Sequence, residues 1–448
     1  MHIDQSESDF PQLGDRCVVT IETLAAGGDA IARISGFTVF IAGGAPGDVA
    51  EIEITQTSKK FARARIVALQ TPSPDRVPTP CPLAGGCPGC QLQHLSYAAQ
   101  LTAKQTFVRD GLERIGHLKG IDVLPTLGMD DPWHYRNKGE FIARIQDDRV
   151  ELGYHGEDSE AFVPVPDCPI QHPLTMRIVR AVEALATREA LPLAQLITRV
   201  SPHDGKALAI LVCWEWNERI AAVAAALRED VPEVAGVLWS RVRGRSVVRR
   251  TLAEGLNGQL KLIQRLGEWD YTVSAESFFQ VNNVQATELI RLAGEFVGDL
   301  HEATFVDAYC GVGTFLVPLA NRALRAMGIE EHPAALQDAV VNLSRYAVRD
   351  ARLFEGSVET IFTRLVRKGR SVDVALLDPP RKGAGRLALE TMAQLGVRRA
   401  VLISCDPATF GRDAGDLVSL GYRITAVQPV DMFPQTWHVE TMALLERD

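Results

Sequence analysis

The second half of the chain most constrains the fold. From Thr304 onward, short apolar runs alternate with stretches of helical periodicity. The runs Thr304–Ala308, Arg325–Ile329, Ala351–Phe354, Val372–Asp378 and Arg399–Ser404 read as strands. Helical spacing fills the intervals at about 314–320, 333–346, 386–396 and 408–420. Two strand-like runs, Tyr422–Val430 and Val439–Leu445, close the chain. This alternation predicts a mostly parallel, doubly wound α/β sheet, whose ligands bind beyond the carboxyl ends of its strands.

Three motifs stand at those ends. Asp307–Phe315 follows the first strand and opens a helix, with Gly311 and Gly313 allowing close backbone approach to a ligand. Taken alone, a tight strand–helix turn explains it equally well. Glu330 ends the next strand, where a carboxylate can accept from a ribose diol. No phosphate-binding P-loop sequence occurs. Asp378-Pro379-Pro380-Arg381 ends a later strand, and its prolines force the chain out of the ladder. Cys405 sits where a strand becomes a helix, and a helix N-terminus is expected to lower its thiol pKa from about 8.5. A buried, inert cysteine is the plainer reading for Cys17 or Cys213. Phe433–Glu440 places a carboxylate just before the last strand, a candidate base.

The first half differs. Cys17–Ile21, Thr38–Ile41, Val49–Ile54 and Ala64–Val67 are short β-like runs between Gly-rich turns, which predicts a small barrel. Along Lys59–Arg65, basic and apolar residues alternate, placing Phe61, Arg63 and Arg65 on one strand face. A solvated edge strand and an RNA contact fit that pattern equally. A Pro-rich stretch from Thr71 to Pro82 reads as a linker, and Tyr97–Ile115 as a helix. Residues 131–275 read as a mixed region, with hairpin turns at Asp147-Asp148 and 202–205 and a basic run of Arg241, Arg243, Arg245, Arg249 and Arg250.

Eight cysteines in 448 residues are too sparse for a disulfide scaffold. Cys81, Cys87 and Cys90 cluster, which points to metal binding, with zinc and iron–sulfur both open. The spacing is not that of radical enzymes. The net charge of −9 leaves nucleic-acid binding to local basic patches. The chain has no run of about 18 apolar residues, and its N-terminus lacks an apolar signal core. A cytoplasmic protein with no membrane contact and no obligate protein partner is expected.

Ser277–Asn282, Asp307–Phe315, Leu377–Gly383, Ser404–Asp413 and Phe433–Glu440, in this order, resemble the RNA uracil-5-methyltransferase family. The resemblance covers nearly the whole chain and is nearest to the members that modify 23S ribosomal RNA. It implies three parts. Residues 1–70 are an OB-type TRAM barrel that binds RNA. Residues 71–275 are a mixed α+β domain for the metal cluster and RNA recognition, in which Tyr135–Lys138 contacts RNA and the 97–115 helix packs on the catalytic domain. Residues 276–448 are a Rossmann-like methyltransferase domain. By this resemblance Gln280, Tyr309, Glu330 and Asp378 contact S-adenosylmethionine, with Thr314 and Ser357 at positions that sometimes do. Cys405 is the nucleophile and Glu440 the base. Cys81, Cys87, Cys90 and Cys168 hold a 4Fe–4S cluster. The chain departs from the family pattern at Pro88, Asp406 and Gln435, and the last two bear on base positioning.

The implied chemistry suits the residues. C5 of uracil is a poor nucleophile until a thiolate adds at C6. The C5 proton must then leave, which calls for a base within hydrogen-bond reach. The target must also leave its stack. Cytosine-C5 enzymes place their cysteine directly after an Asp-x-Pro segment, whereas Arg381 follows here. A transfer-RNA T-loop uridine is the alternative substrate, and a non-catalytic RNA-binding iron–sulfur protein the alternative class.

Overall fold

The computed structural model describes residues 10–156, 161–244, 250–348 and 350–448. Arg245 and Arg249 of the basic run lie outside them. The first sheet comprises β1 (Arg16–Thr20), β2 (Thr23–Leu24), β3 (Ala30–Ile34), β4 (Phe37–Ala42), β5 (Val49–Thr57) and β6 (Phe61–Thr71), in spatial order β1-β5-β6-β4-β3-β2. It curls around its own core of Val39, Ile41, Ile52, Ile54, Ala62 and Ala64. β6 is an interior strand, so the edge-strand reading fails. Phe61, Arg63 and Arg65 share its outer face, as the alternation predicts. Their cations are partly neutralised: Arg63 pairs with Asp29, and Arg65 and Arg16 with Glu53.

The Pro-rich stretch is pinned to the barrel. Buried Asp48 accepts from the backbone of Ala45 and Ser73 and pairs with Arg76. The barrel core also continues into Leu92, Leu95 and Phe107, so packing does not stop at residue 70. Phe107 lies on α1 (Tyr97–Asp110), which runs on as a π turn, Gly111–Ile115. The sequence suggests an uninterrupted helix. Only glycine fits at the start of this turn: a Cβ on Gly111 would lie 2.2 Å from the Pro407 carbonyl oxygen. Val108 and Leu112 join the core of the last domain.

The second sheet comprises β7 (Lys138–Gln146), β8 (Arg149–His155), β9 (Phe162–Pro164), β10 (Leu193–Ser201), β11 (Lys206–Cys213), β12 (Val234–Arg241) and β13 (Glu254–Gly258), in order β13-β12-β11-β10-β7-β8-β9. Asp147 and Asp148 turn between β7 and β8 with φ of 50° and 58°, the left-handed pair a two-residue hairpin needs. Helices α2 (Pro173–Arg188) and α3 (Arg219–Asp230) share a core with this sheet. A hairpin, β14 (Lys261–Leu266) and β15 (Trp269–Ser274), leads to α4 (Asn283–Val297).

The last sheet contains β16 (Thr304–Asp307), β17 (Arg325–Glu330), β18 (Ala351–Glu355), β19 (Val374–Leu377), β20 (Arg399–Ser404), β21 (Arg423–Val430) and β22 (Glu440–Glu446). The connecting helices are α5 (Leu316–Ala320), α6 (Pro333–Arg345), α7 (Val358–Arg367), α8 (Arg386–Gln394) and α9 (Pro407–Ser419). The order is β18-β17-β16-β19-β20-β22-β21. β22 runs antiparallel to both β20 and β21. The predicted doubly wound sheet is present, and helices α4 and α7 add to the sequence reading. The chain winds outward in opposite senses from β16 and β19, which makes their junction the switch-point crevice. Among the described residues, no helix is long and apolar enough to cross a membrane.

Candidate active site

The crevice is built from strand ends. Gly311 and Gly313 adopt φ of 55° and 90°, letting the loop after β16 fold tightly over the sheet. Glu330 ties this loop to the end of β17: one carboxylate oxygen accepts from Gly311 N at 2.9 Å and the other from His332 N at 2.6 Å. Tyr309 is half-buried beside it. Gln280 is buried, and its carbonyl accepts from the Asn137 side chain at 2.9 Å. Thr314 contributes its carbonyl to the Tyr271 hydroxyl at 2.8 Å. Ser357 is the N-cap of α7, accepting from Thr360 N.

Cys405 and Glu440 come together through strand register. Ser404 pairs with Thr441 across β20 and β22, so continuing the antiparallel ladder by one residue sets Cys405 beside Glu440. Asp406 caps α9, its side chain accepting from Thr409 N at 2.8 Å. The thiol pKa lies above its usual range, contrary to the sequence expectation. Burial and the neighbouring Glu440 carboxylate push Cys405 up to about 12, despite the opposing Arg381 cation. Burial and Asp378 raise Glu440 well above its usual range. Burial pushes Asp378 itself up to about 7. Asp307, wholly buried at the crevice floor, is raised by burial and then by Asp378. Such a set of carboxyls favours a cationic ligand, whose charge stabilises their ionised forms.

Two residues of this site escaped the sequence reading. Asp307 was visible only as part of a glycine loop. Arg381 served only to separate enzyme classes, yet its charge acts on Cys405, Glu440 and His438. Its position directly after Asp378-Pro379-Pro380 was the available signal. Tyr135 and Asn137 turn inward instead of facing a partner: Tyr135 donates to the Pro434 carbonyl, and Asn137 to that of Gln280.

A second feature adjoins this rim. Cys81, Cys87, Cys90 and Cys168 line one cavity of about 550 Å³, which Arg136, Arg381 and His438 also border. The thiols lie close enough for Cys168, Cys87 and Cys81 each to raise Cys90, after burial, to about 12. Among the described residues, no group of three or more His, Cys, Asp or Glu is arranged to hold a single metal ion.

A switch-point crevice with a glycine loop and an acidic second strand end suits a ligand that carries a nucleoside. The comparisons with known proteins agree. The profile of the tRNA (Uracil-5-)-methyltransferase family matches residues 96–448, and that of the TRAM domain residues 12–67. The chain belongs to this family and is an S-adenosylmethionine-dependent RNA (uracil-5-)-methyltransferase. It is 33% identical to an uncharacterized RNA methyltransferase of Halalkalibacterium halodurans, over 96% of each chain. It is 32% identical to one of Clostridium tetani, over 93% of each. The crystal structure of Pyrococcus abyssi tRNA (uracil-54, C5)-methyltransferase in complex with S-adenosyl-L-homocysteine superposes with a TM-score of 0.74 at 26% identity, covering 96% of this chain and 99% of that one.

Proposed function

We propose that the chain methylates C5 of one uridine in 23S ribosomal RNA through a covalent bond from Cys405 to C6 of uracil, which Glu440 resolves. The observation that carries this reading is the emergence of Cys405 and Glu440 side by side from β20 and β22. The thiol proton passes to water as Sγ adds to C6, and the electron pair moves to the uracil oxygen as an enolate. Bound S-adenosylmethionine supplies an electrophilic methyl. C5 takes that methyl and S-adenosylhomocysteine is the leaving group, then Glu440 removes the C5 proton and the C6–S bond breaks to free Cys405 as a thiolate. Arg381 is placed to stabilise the enolate or the Cys405 thiolate.

Glu330, Tyr309, Gln280 and Asp378 hold the cofactor in this reading, and Asp307 supports the loop beneath it. Ser357, engaged in capping, and Thr314 are peripheral. Glu330→Ala is expected to weaken S-adenosylmethionine binding, since each charge-assisted bond lost is worth roughly 1.5–3 kcal/mol. Titration calorimetry checks this, and wild-type affinity removes Glu330 from the cofactor site.

The four cysteines fit an iron–sulfur cluster. They are among the residues that line one cavity, and an all-thiolate donor set is the one 4Fe–4S clusters use. Cys81, Cys87, Cys90 and Cys168 would hold it, and it would cross-link the 81–90 loop to the central domain. Protein purified without oxygen is expected to be brown and to contain iron and sulfide. Stoichiometric zinc without iron contradicts this assignment.

The cysteine set favours ribosomal RNA. The second reading, a transfer-RNA T-loop, draws on the Pyrococcus neighbour, named for uridine 54 of tRNA. Mass-spectrometric mapping of 5-methyluridine in a deletion strain separates them. Loss from large-subunit ribosomal RNA supports the proposal, and loss from transfer RNA alone overturns the choice. The barrel supplies RNA affinity in either case.

A further inference from the structure

Glu440 is presented by the hairpin 431–439, which joins β21 to β22. Within the segment, Thr436 donates from its backbone N–H and its hydroxyl to the Phe433 carbonyl, and His438 N donates to the Thr436 hydroxyl. Gln435 sits at φ 72°, a left-handed conformation that costs free energy in a non-glycine residue. Donors from elsewhere over-determine it. Five successive carbonyls each accept from outside the hairpin. Gln285 Nε2 donates to Asp431 at 3.0 Å, and Asn282 Nδ2 to Met432 at 3.2 Å. Lys104 Nζ donates to Phe433 and the Tyr135 hydroxyl to Pro434, both at 3.0 Å. The backbone N–H of Leu92 donates to Gln435 at 3.0 Å.

Helix α1 makes the most specific of these contacts. Lys104 is fully buried, and its ammonium pairs with the equally buried Asp431 carboxylate. One turn earlier, Gln100 and Gln435 bond reciprocally. Gln100 Nε2 donates to Gln435 Oε1 at 2.9 Å, and Gln435 N donates to Gln100 Oε1 at 3.0 Å. A fully buried ion pair is a poor source of stability, because desolvating both charges offsets their attraction and an apolar pair often does as well. What it fixes is position: the ammonium must meet one carboxylate and one carbonyl at once.

We infer that Lys104 and Gln100 are positioning residues that set Glu440 over the reacting uracil for proton removal. The inference rests on the reading of Glu440 as the base. Neither residue touches the reacting atoms in this scheme.

RNA carrying 5-fluorouridine at the target isolates that step. Cys405 adds to C6 and C5 takes the methyl, but C5 then bears fluorine and methyl with no proton to remove, so the covalent complex persists. Its rate of formation reads the nucleophile and the cofactor, whereas turnover on ordinary RNA also reads the base. Lys104→Met is expected to form the fluorinated complex at the wild-type rate. Its turnover on ordinary RNA is expected to fall by about 100-fold, the scale of a misplacement near 1 Å, as methylated covalent complex accumulates. Gln100→Leu should shift the same way by less, and it decides the matter alone if Lys104→Met does not fold. Glu440→Gln is run alongside. If it accumulates no methylated complex, the base assignment itself fails. If it does accumulate complex while Lys104→Met and Gln100→Leu turn over normally, or lose both reactions in parallel, the positioning role is overturned.

Discussion

Cys405→Ala is expected to abolish methyl transfer to RNA while leaving the fold and cofactor affinity unchanged. The thiol is half-buried and the substitution small, so little packing is lost. The chemical loss is large because no other step can activate C5. Deleting a nucleophile that works as a unit with its neighbours costs on the order of a millionfold in turnover. The thiol enters the reaction protonated, since burial and Glu440 hold its pKa near 12. Deprotonation must therefore accompany substrate binding or attack, and the free enzyme should react slowly with alkylating reagents compared with a preformed thiolate. Single-turnover transfer of labelled methyl from S-adenosylmethionine checks the main expectation. Residual transfer at a substantial fraction of the wild-type rate removes Cys405 from the mechanism.

Glu440→Gln is expected to fail later in the same cycle. The amide keeps the shape and occupies the same buried place at the start of β22, but cannot take a proton. Addition at C6 and methylation of C5 still proceed, and elimination stalls. The protein should accumulate as a covalent complex with methylated RNA, seen as a retarded band on a denaturing gel. Turnover should fall by about 100- to 10,000-fold, the range of a lost general base. The Cys405→Ala/Glu440→Gln double variant should show no band, because the bond needs the thiol. If Glu440→Gln gives neither adduct nor methyl transfer, Glu440 acts earlier, and Asp378 in its ionised form becomes the better candidate for the base.

Much of the catalytic sheet was legible because its central strands are buried on both faces. β19 is four apolar residues in a row, all buried, and such runs announce themselves. The strand-end motifs followed, since polar residues and glycines there interrupt an apolar pattern. Local pattern failed where a tertiary contact decided the outcome. Gly111 is required by the approach of Pro407 and Gly411, far later in the chain, and no local pattern announces the π turn that starts there. The thiol of Cys405 departs from the sequence expectation because the helix start is local, while the burial that raises it and the Glu440 carboxylate beside it come from tertiary packing. The inward turn of Tyr135 and Asn137 depends on carbonyls of Pro434 and Gln280. The Lys104–Asp431 pair joins two segments with no sequence signal in common.

In this chemistry a methyl replaces the hydrogen on C5 of uridine. RNA labelled with tritium at C5 of uridine and incubated with methyl-labelled S-adenosylmethionine tests it most directly. The expected result is tritium released to water in equal amount to methyl gained by RNA, with both signals absent in Cys405→Ala. Methyl incorporation without tritium release would place the modification on another atom and contradict the account.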